Sequence, residues 1–217
     1  MDLILIFFTA LMVGFSGAVV PGPLLSVTVN ETLRRGIEAG PLLITGHAIL
    51  ELGLTIGLVY GLSYYLNNAL VGGTFGFLGG AVLLWMGWGM IKEFWSGEGQ
   101  LSLKTENQSE SLNPILAGAV VSLSNPYFLI WWGTIGAGYV VIAMEYGLAG
   151  IVFFFLGHIS ADYIWYTFAS WLVYAGSSKL SSRAYRGITG GCGVFLVAMA
   201  FFFLYSGFNF LFKDILL

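Results

Sequence analysis

This chain has two histidines, and each stands one helical turn before an acid: Gly46-His47-Ala48-Ile49-Leu50-Glu51 and Gly157-His158-Ile159-Ser160-Ala161-Asp162. At i, i+4 spacing the members of a pair share one helix face, so each imidazole can exchange a proton or a hydrogen bond with its carboxylate. Both pairs lie deep inside long apolar runs. There a carboxylate costs at least roughly 2.5–3.5 kcal/mol on insertion scales and marks a functional site by default. Three uses fit such an acid: a neutral structural hydrogen-bonder, a group that carries a coupling proton or touches substrate, or a metal ligand. If the fold brings the pairs together, His47, Glu51, His158 and Asp162 would make a four-ligand set suited to zinc or a similar ion.

A second kind of chemistry is available where helices break. Pro21-Gly22-Pro23 removes two backbone donors within three residues, and Ser124-Asn125-Pro126 removes another beside an amide side chain. Each proline takes the intrahelical partner from the carbonyl four residues earlier, which predicts free carbonyls at Gly17, Val19 and Ser122. In hydrocarbon, irregular backbone is tolerated only inside a bundle or beside a wet cavity. Freed carbonyls and half-helix ends can hold the ammonium and carboxylate of a zwitterion. Pro21, Gly22, Pro23, Asn125 and Pro126 are therefore the candidate substrate-binding residues, and Glu51, Asp162, His47 and His158 the candidate proton-coupling residues.

The elements that must position these groups are membrane helices. Of the 217 residues, 9% are charged and 58% hydrophobic, with 31 glycines, whereas a water-soluble domain carries about 25% charged residues. A net charge of -3 offers no basic surface for nucleic acid. The lone Cys192 excludes an internal disulfide. Crossing a hydrocarbon core takes about 20 apolar residues, and on that measure six segments qualify, near 3–29, 40–66, 71–94, 114–142, 148–174 and 187–211. The fold class is thus all-α integral membrane protein. Asn113-Pro114 has the N-cap and N1 pattern that starts a helix. Arg34, Arg35, Lys92, Lys104, Lys179, Arg183 and Arg186 all fall in links on one side, and Lys213 stands apart. The positive-inside rule makes that side cytoplasmic, with both termini and the links at Asn67-Asn68 and Glu145-Tyr146 outside.

The halves repeat. The two histidine segments are 111 positions apart, as are Gly76-Phe77-Leu78-Gly79-Gly80 and Gly187-Ile188-Thr189-Gly190-Gly191. Three helices per unit is an odd number, so the second unit must enter the membrane from the opposite side, an inverted topology common in secondary transporters. The expected organisation is a first three-helix repeat over 1–95, a polar cytoplasmic loop over 96–113 and a second repeat over 114–217. Gly53, Gly57 and Gly61, and likewise Gly72, Gly76 and Gly80, form small-residue ladders for close helix packing. Trp131, Trp132, Trp165 and Trp171 suit either the lining of a pocket or the membrane interface, and for any one of them the interfacial or lipid-facing position is the expected one. No nucleotide-binding GxxxxGK[ST] or zinc-protease HExxH motif occurs. Neither an enzyme nor a cofactor is expected.

Pro21-Gly22-Pro23, the Arg34-Arg35-Gly36 turn leading to Gly40 and Gly46, the acid in the second helix and Asn125-Pro126 in the fourth resemble the LysE-type (LysE/RhtB) amino-acid exporters. The likeness covers nearly the whole chain, although many members follow Asn-Pro with Lys or Asn where Tyr127 stands here. The resemblance implies proton-motive-force-dependent efflux of amino acids across a prokaryotic plasma membrane, with the two broken helices at the centre of the path. The expected partners are a small-molecule substrate, a proton and the lipid bilayer, with a homodimer as the candidate assembly. Two alternatives stand beside this reading. One is a divalent-cation exporter using His47, Glu51, His158 and Asp162; the other is a non-transporting membrane scaffold in which the acids are dispensable.

Overall fold

The computed structural model describes residues 2–20, 22–61, 69–96, 112–177, 179 and 181–212. Pro21, the Asn67-Asn68 link, most of the expected polar loop including Lys104, and Lys213 lie outside the described residues. Every described element is helical: α1 Leu3–Ala18, α2 Pro23–Arg35, α3 Ala39–Val59, α4 Ala69–Ser96, α5 Pro114–Leu123, α6 Pro126–Trp131, a π-helical turn Trp132–Gly136, α7 Ala137–Met144, α8 Gly147–Ser177 and α9 Ser182–Phe212. Ala39–Val59, Tyr127–Met144, Gly147–Ser177 and Ser182–Asn209 are long and apolar enough to cross a bilayer, and the bent pair α1–α2 makes a fifth span if counted as one. The outward side chains, among them Phe8, Met12, Trp85, Leu148 and Phe201, are apolar. Such a surface belongs in hydrocarbon, and the chain is a multi-pass membrane protein. The glycine-rich α4 is not among those apolar stretches, but at 28 residues it is long enough to cross and it packs along α9.

The helices break where the prolines stand. The expected segment 3–29 is two helices, α1 and α2, set 79° apart. Gly22 is in extended backbone and Pro23 opens α2, since a residue without an N–H suits the first turn. The second break divides α5 from α6 at Ser124 and Asn125. Asn113 and Asn125 cap the helices that follow them, their side-chain oxygens accepting from Ile115 N–H at 2.9 Å and Tyr127 N–H at 3.1 Å. Two of the predicted free carbonyls are not free: Val20 N–H donates to the Gly17 oxygen at 3.2 Å, and Asn125 N–H to the Ser122 oxygen at 3.1 Å. Tightening the last turn to i, i+3 bonds supplies the partner that proline withholds.

Helices α1 and α8 pack together, as do α3 and α5, and α4 and α9. A Cβ on Gly46 would overlap the Ile115 carbonyl, and one on Gly157 the Phe7 carbonyl, so these two contacts are backbone on backbone. The ladder on α4 packs as expected, Gly76 against Gly207 and Gly80 against Leu204 of α9. The ladder expected on α3 does not: Gly53 is exposed with nothing within 4 Å, and Gly61 lies beyond the end of α3, also with nothing within 4 Å.

Apolar packing forms two buried clusters. Leu43 and Ile44 of α3 and Ile159 and Tyr166 of α8 belong to one, while Leu54 and Leu58 of α3 and Phe154 of α8 belong to the other. On α3 the pair His47 and Glu51 falls in the interval between them.

At the end of α2, Glu31 is buried and ion-paired with Arg34 at 3.2 Å and with Arg35, whose Nη2 also donates to the Leu112 carbonyl at 3.2 Å. Arg35 therefore ties α2 to the lead-in of α5. Arg35→Ala is expected to cost about 1–3 kcal/mol through loss of these charge-assisted bonds, read as a lowered thermal unfolding midpoint in detergent.

Candidate transport site

Helix α3 supplies His47 and Glu51, α8 supplies His158 and Asp162, and all four side chains are buried. They converge on one atom. Glu51 is 2% exposed, and its Oε1 lies 3.0 Å from His47 Nε2, 3.0 Å from His158 Nε2 and 3.1 Å from the donating Trp132 Nε1. The predicted His47–Glu51 pairing within α3 is present. The second pair differs: His158 Nε2 is 3.9 Å from Asp162 Oδ2 and bonds across to Glu51 instead. Aspartate is one methylene shorter than glutamate, so its carboxylate reaches back less far toward the preceding turn.

The proton inventory follows from the hydrogen bonds. Ser122 Oγ donates to the Gly118 carbonyl at 2.7 Å, so toward His47 Nδ1, also at 2.7 Å, it acts as acceptor and Nδ1 carries hydrogen. The indole of Trp132 can only donate. One proton then lies along the 3.0 Å line between His47 Nε2 and Glu51 Oε1. On nitrogen it makes an imidazolium–carboxylate pair; on oxygen, a neutral pair. Ser122→Ala would strand the buried Nδ1–H at a cost of about 1–3 kcal/mol, and we expect a correspondingly lower unfolding midpoint in detergent.

The four groups line one cavity of about 270 Å³. The same cavity is lined by Gly17, Ala18, Val20, Gly22 and Pro23 from the first break and by Asn125 and Tyr127 from the second. Of the predicted substrate-binding residues, Gly22, Pro23 and Asn125 thus border it, Pro126 opens α6 beside it, and Pro21 lies outside the described residues. Glu51 Oε2, Asp162 Oδ2 and His158 Nδ1 are buried without a hydrogen-bond partner among the described residues.

Comparison with known proteins gives this arrangement a lineage. The description "LysE type translocator" matches residues 15–207, which include both breaks and all four ionisable groups. The chain belongs to the LysE type translocator family. This translocator is also similar to the chemotactic transduction protein ChpE of Pseudomonas aeruginosa, at 32% identity over 206 residues, covering 90% of this chain and 95% of that protein. No solved structure matches it. A translocator moves its substrate across the membrane and is not an enzyme.

Sequence reasoning missed several residues of the translocator's cavity. Trp131 and Trp132, expected at the interface or against lipid, are buried at 7% and 0% exposure and line the cavity; Trp171, at 51%, does face outward. The π-helical turn begins at Trp132, and turns of that kind frequently mark functional sites, but the sequence does not announce it. Ser122 was legible, because it heads a polar run, Ser122-Leu123-Ser124-Asn125, inside an apolar segment. The metal alternative keeps a geometric basis: ligand atoms of His47, Glu51 and Asp162 all lie within 4.8 Å of one another.

Proposed function

We propose that this translocator is a secondary exporter of amino acids or related small zwitterions, driven by proton antiport across a prokaryotic inner membrane. The observation that carries the reading is the single cavity bordered by both helix breaks and by His47, Glu51, His158 and Asp162. The N-terminus of α2 opens onto it at Gly22, Pro23 and Leu24 without a side-chain cap, an arrangement that favours a carboxylate. The carboxylates of Glu51 and Asp162 favour an ammonium. The His47–Glu51 proton is the counter-transported one, with His158 and Asp162 in relay.

In this reading the chain has six spans in two inverted repeats, 1–95 and 114–217. Reciprocal packing supports it, since Gly46 rests on α5 and its counterpart Gly157 rests on α1. The repeats rock about the cavity, exposing it to each side in turn. Arg34 and Arg35 at the end of α2, Lys179 after α8 and Arg183 and Arg186 at the start of α9 make those ends cytoplasmic and put both termini outside.

The test is efflux from proteoliposomes loaded with labelled amino acids under an imposed pH gradient. Accumulation that follows the gradient supports the reading; passive leakage indifferent to it overturns antiport. A second reading, divalent-cation export, is favoured by the 4.8 Å grouping of His47, Glu51 and Asp162. The same vesicles loaded with Zn²⁺ or Mn²⁺ decide between them.

A further inference from the structure

We infer that the substrate is a zwitterion with a bulky apolar side chain, aliphatic or aromatic, and that amino acids with charged side chains are excluded. This rests on the export reading above and narrows it. The cavity has two chemically distinct parts. One part holds the ionisable groups, where Glu51 Oε2 and Asp162 Oδ2 are buried without a hydrogen-bond partner among the described residues. An ammonium placed between them gains two charge-assisted hydrogen bonds. The carboxylate of the same molecule meets the uncapped start of α2 at Gly22–Leu24.

Once those two poles are seated, the rest of the molecule faces Leu24, Val121, Phe128, Tyr166, Met199 and Phe203. No lysine or arginine is among the described residues that border the cavity. An acidic side chain would find no countercharge there, and a basic one would have to compete with the α-ammonium for the same two carboxylates or lie desolvated against rings. Burying an unpaired charge against such a wall is strongly unfavourable, whereas an apolar side chain gains from the same surroundings. At about 270 Å³ the space falls just below the range of pockets for drug-sized ligands, which suits a single amino acid and is too small for an oligopeptide.

The rim reinforces this division. Val20, Tyr127 and Phe202 border the cavity and are 44%, 50% and 58% exposed. All three belong to membrane-embedded stretches, Val20 and Tyr127 beside the two breaks and Phe202 within α9. The mouth is therefore largely apolar as well, and a charged side chain entering there meets the Tyr127 hydroxyl and the Asn125 amide but no countercharge.

Counterflow in proteoliposomes tests the inference. Vesicles loaded with excess unlabelled L-phenylalanine, L-leucine, L-methionine, L-lysine or L-glutamate are each given the matching labelled compound. Uptake of at least one apolar amino acid is expected to exceed that of lysine and glutamate by at least about tenfold. Asp162→Asn should lower that uptake by about the same factor without lowering the amount of folded protein, followed by size-exclusion profile. Lysine or glutamate moving as well as the apolar compounds overturns the class while leaving export intact. Movement of none of the five overturns the class and the export reading together. Phenylalanine should also raise the unfolding midpoint of the detergent-solubilised protein where lysine does not; the reverse order speaks against the inference even if Asp162→Asn fails to fold.

Discussion

Glu51→Gln is expected to leave the protein folded in the membrane yet unable to accumulate substrate against a gradient. Glutamine keeps an oxygen that can accept from Trp132 Nε1 and from the imidazoles, whose nitrogens approach Glu51 Oε1 at 3.0 Å. What it cannot do is bind and release a proton. One pH unit is worth about 1.36 kcal/mol per proton, or roughly a tenfold accumulation ratio. The substitution should bring that ratio to about one, while exchange of labelled for unlabelled substrate, slowed by the loss of one of the two carboxylates offered to the ammonium, remains measurable. Gradient-driven accumulation and exchange, measured in the same vesicles, separate the two effects. Accumulation by the glutamine variant at the original ratio would remove Glu51 from coupling. Glu51→Leu goes further: it strips three buried N–H donors of their acceptor, and a loss of about 3–5 kcal/mol in stability is expected.

The second large effect concerns Gly46. Its backbone lies against that of Ile115, and any Cβ would overlap the carbonyl there. Backbone cannot swing aside as a long side chain does, so Gly46→Val should exceed the usual overpacking cost of about 1–3 kcal/mol and separate α3 from α5. The expected result is loss of monodisperse protein on extraction. Gly53→Ala on the same helix has nothing within 4 Å and should change stability by no more than about 0.5 kcal/mol. An equal loss in both variants would mean that the close approach at Gly46 does not govern the response, since helix propensity alone favours both replacements.

The chemistry was more legible than the geometry. His47, Glu51, His158 and Asp162 stand out because ionisable side chains in apolar runs are costly, and Pro23 and Asn125-Pro126 because they withdraw donors or cap ends; the structure places all of these at or beside one cavity. Which acid each imidazole chooses was not legible, because the choice between Asp162 at 3.9 Å and Glu51 at 3.0 Å depends on how far α8 approaches α3. Trp132 illustrates the same limit. Amphipathic rings suit the interface by type, but its position is set by a π-helical turn that no local signal fixes. The chain does break at Pro21-Gly22-Pro23, turning by 79° between α1 and α2; what the sequence did not show was the size of that turn, or that α2 runs on to Arg35 rather than ending near residue 29.

The shared Glu51 oxygen has a mechanical corollary. Its three neighbours come from α3, α8 and the turn after α6, so it acts as a rivet through three segments of the bundle. Charge on that atom tightens all of its fastenings at once, and a hydrogen settling there loosens them together. If export is coupled to that hydrogen as proposed, substrate would travel with a temporary softening of the bundle's waist, timed by the same event.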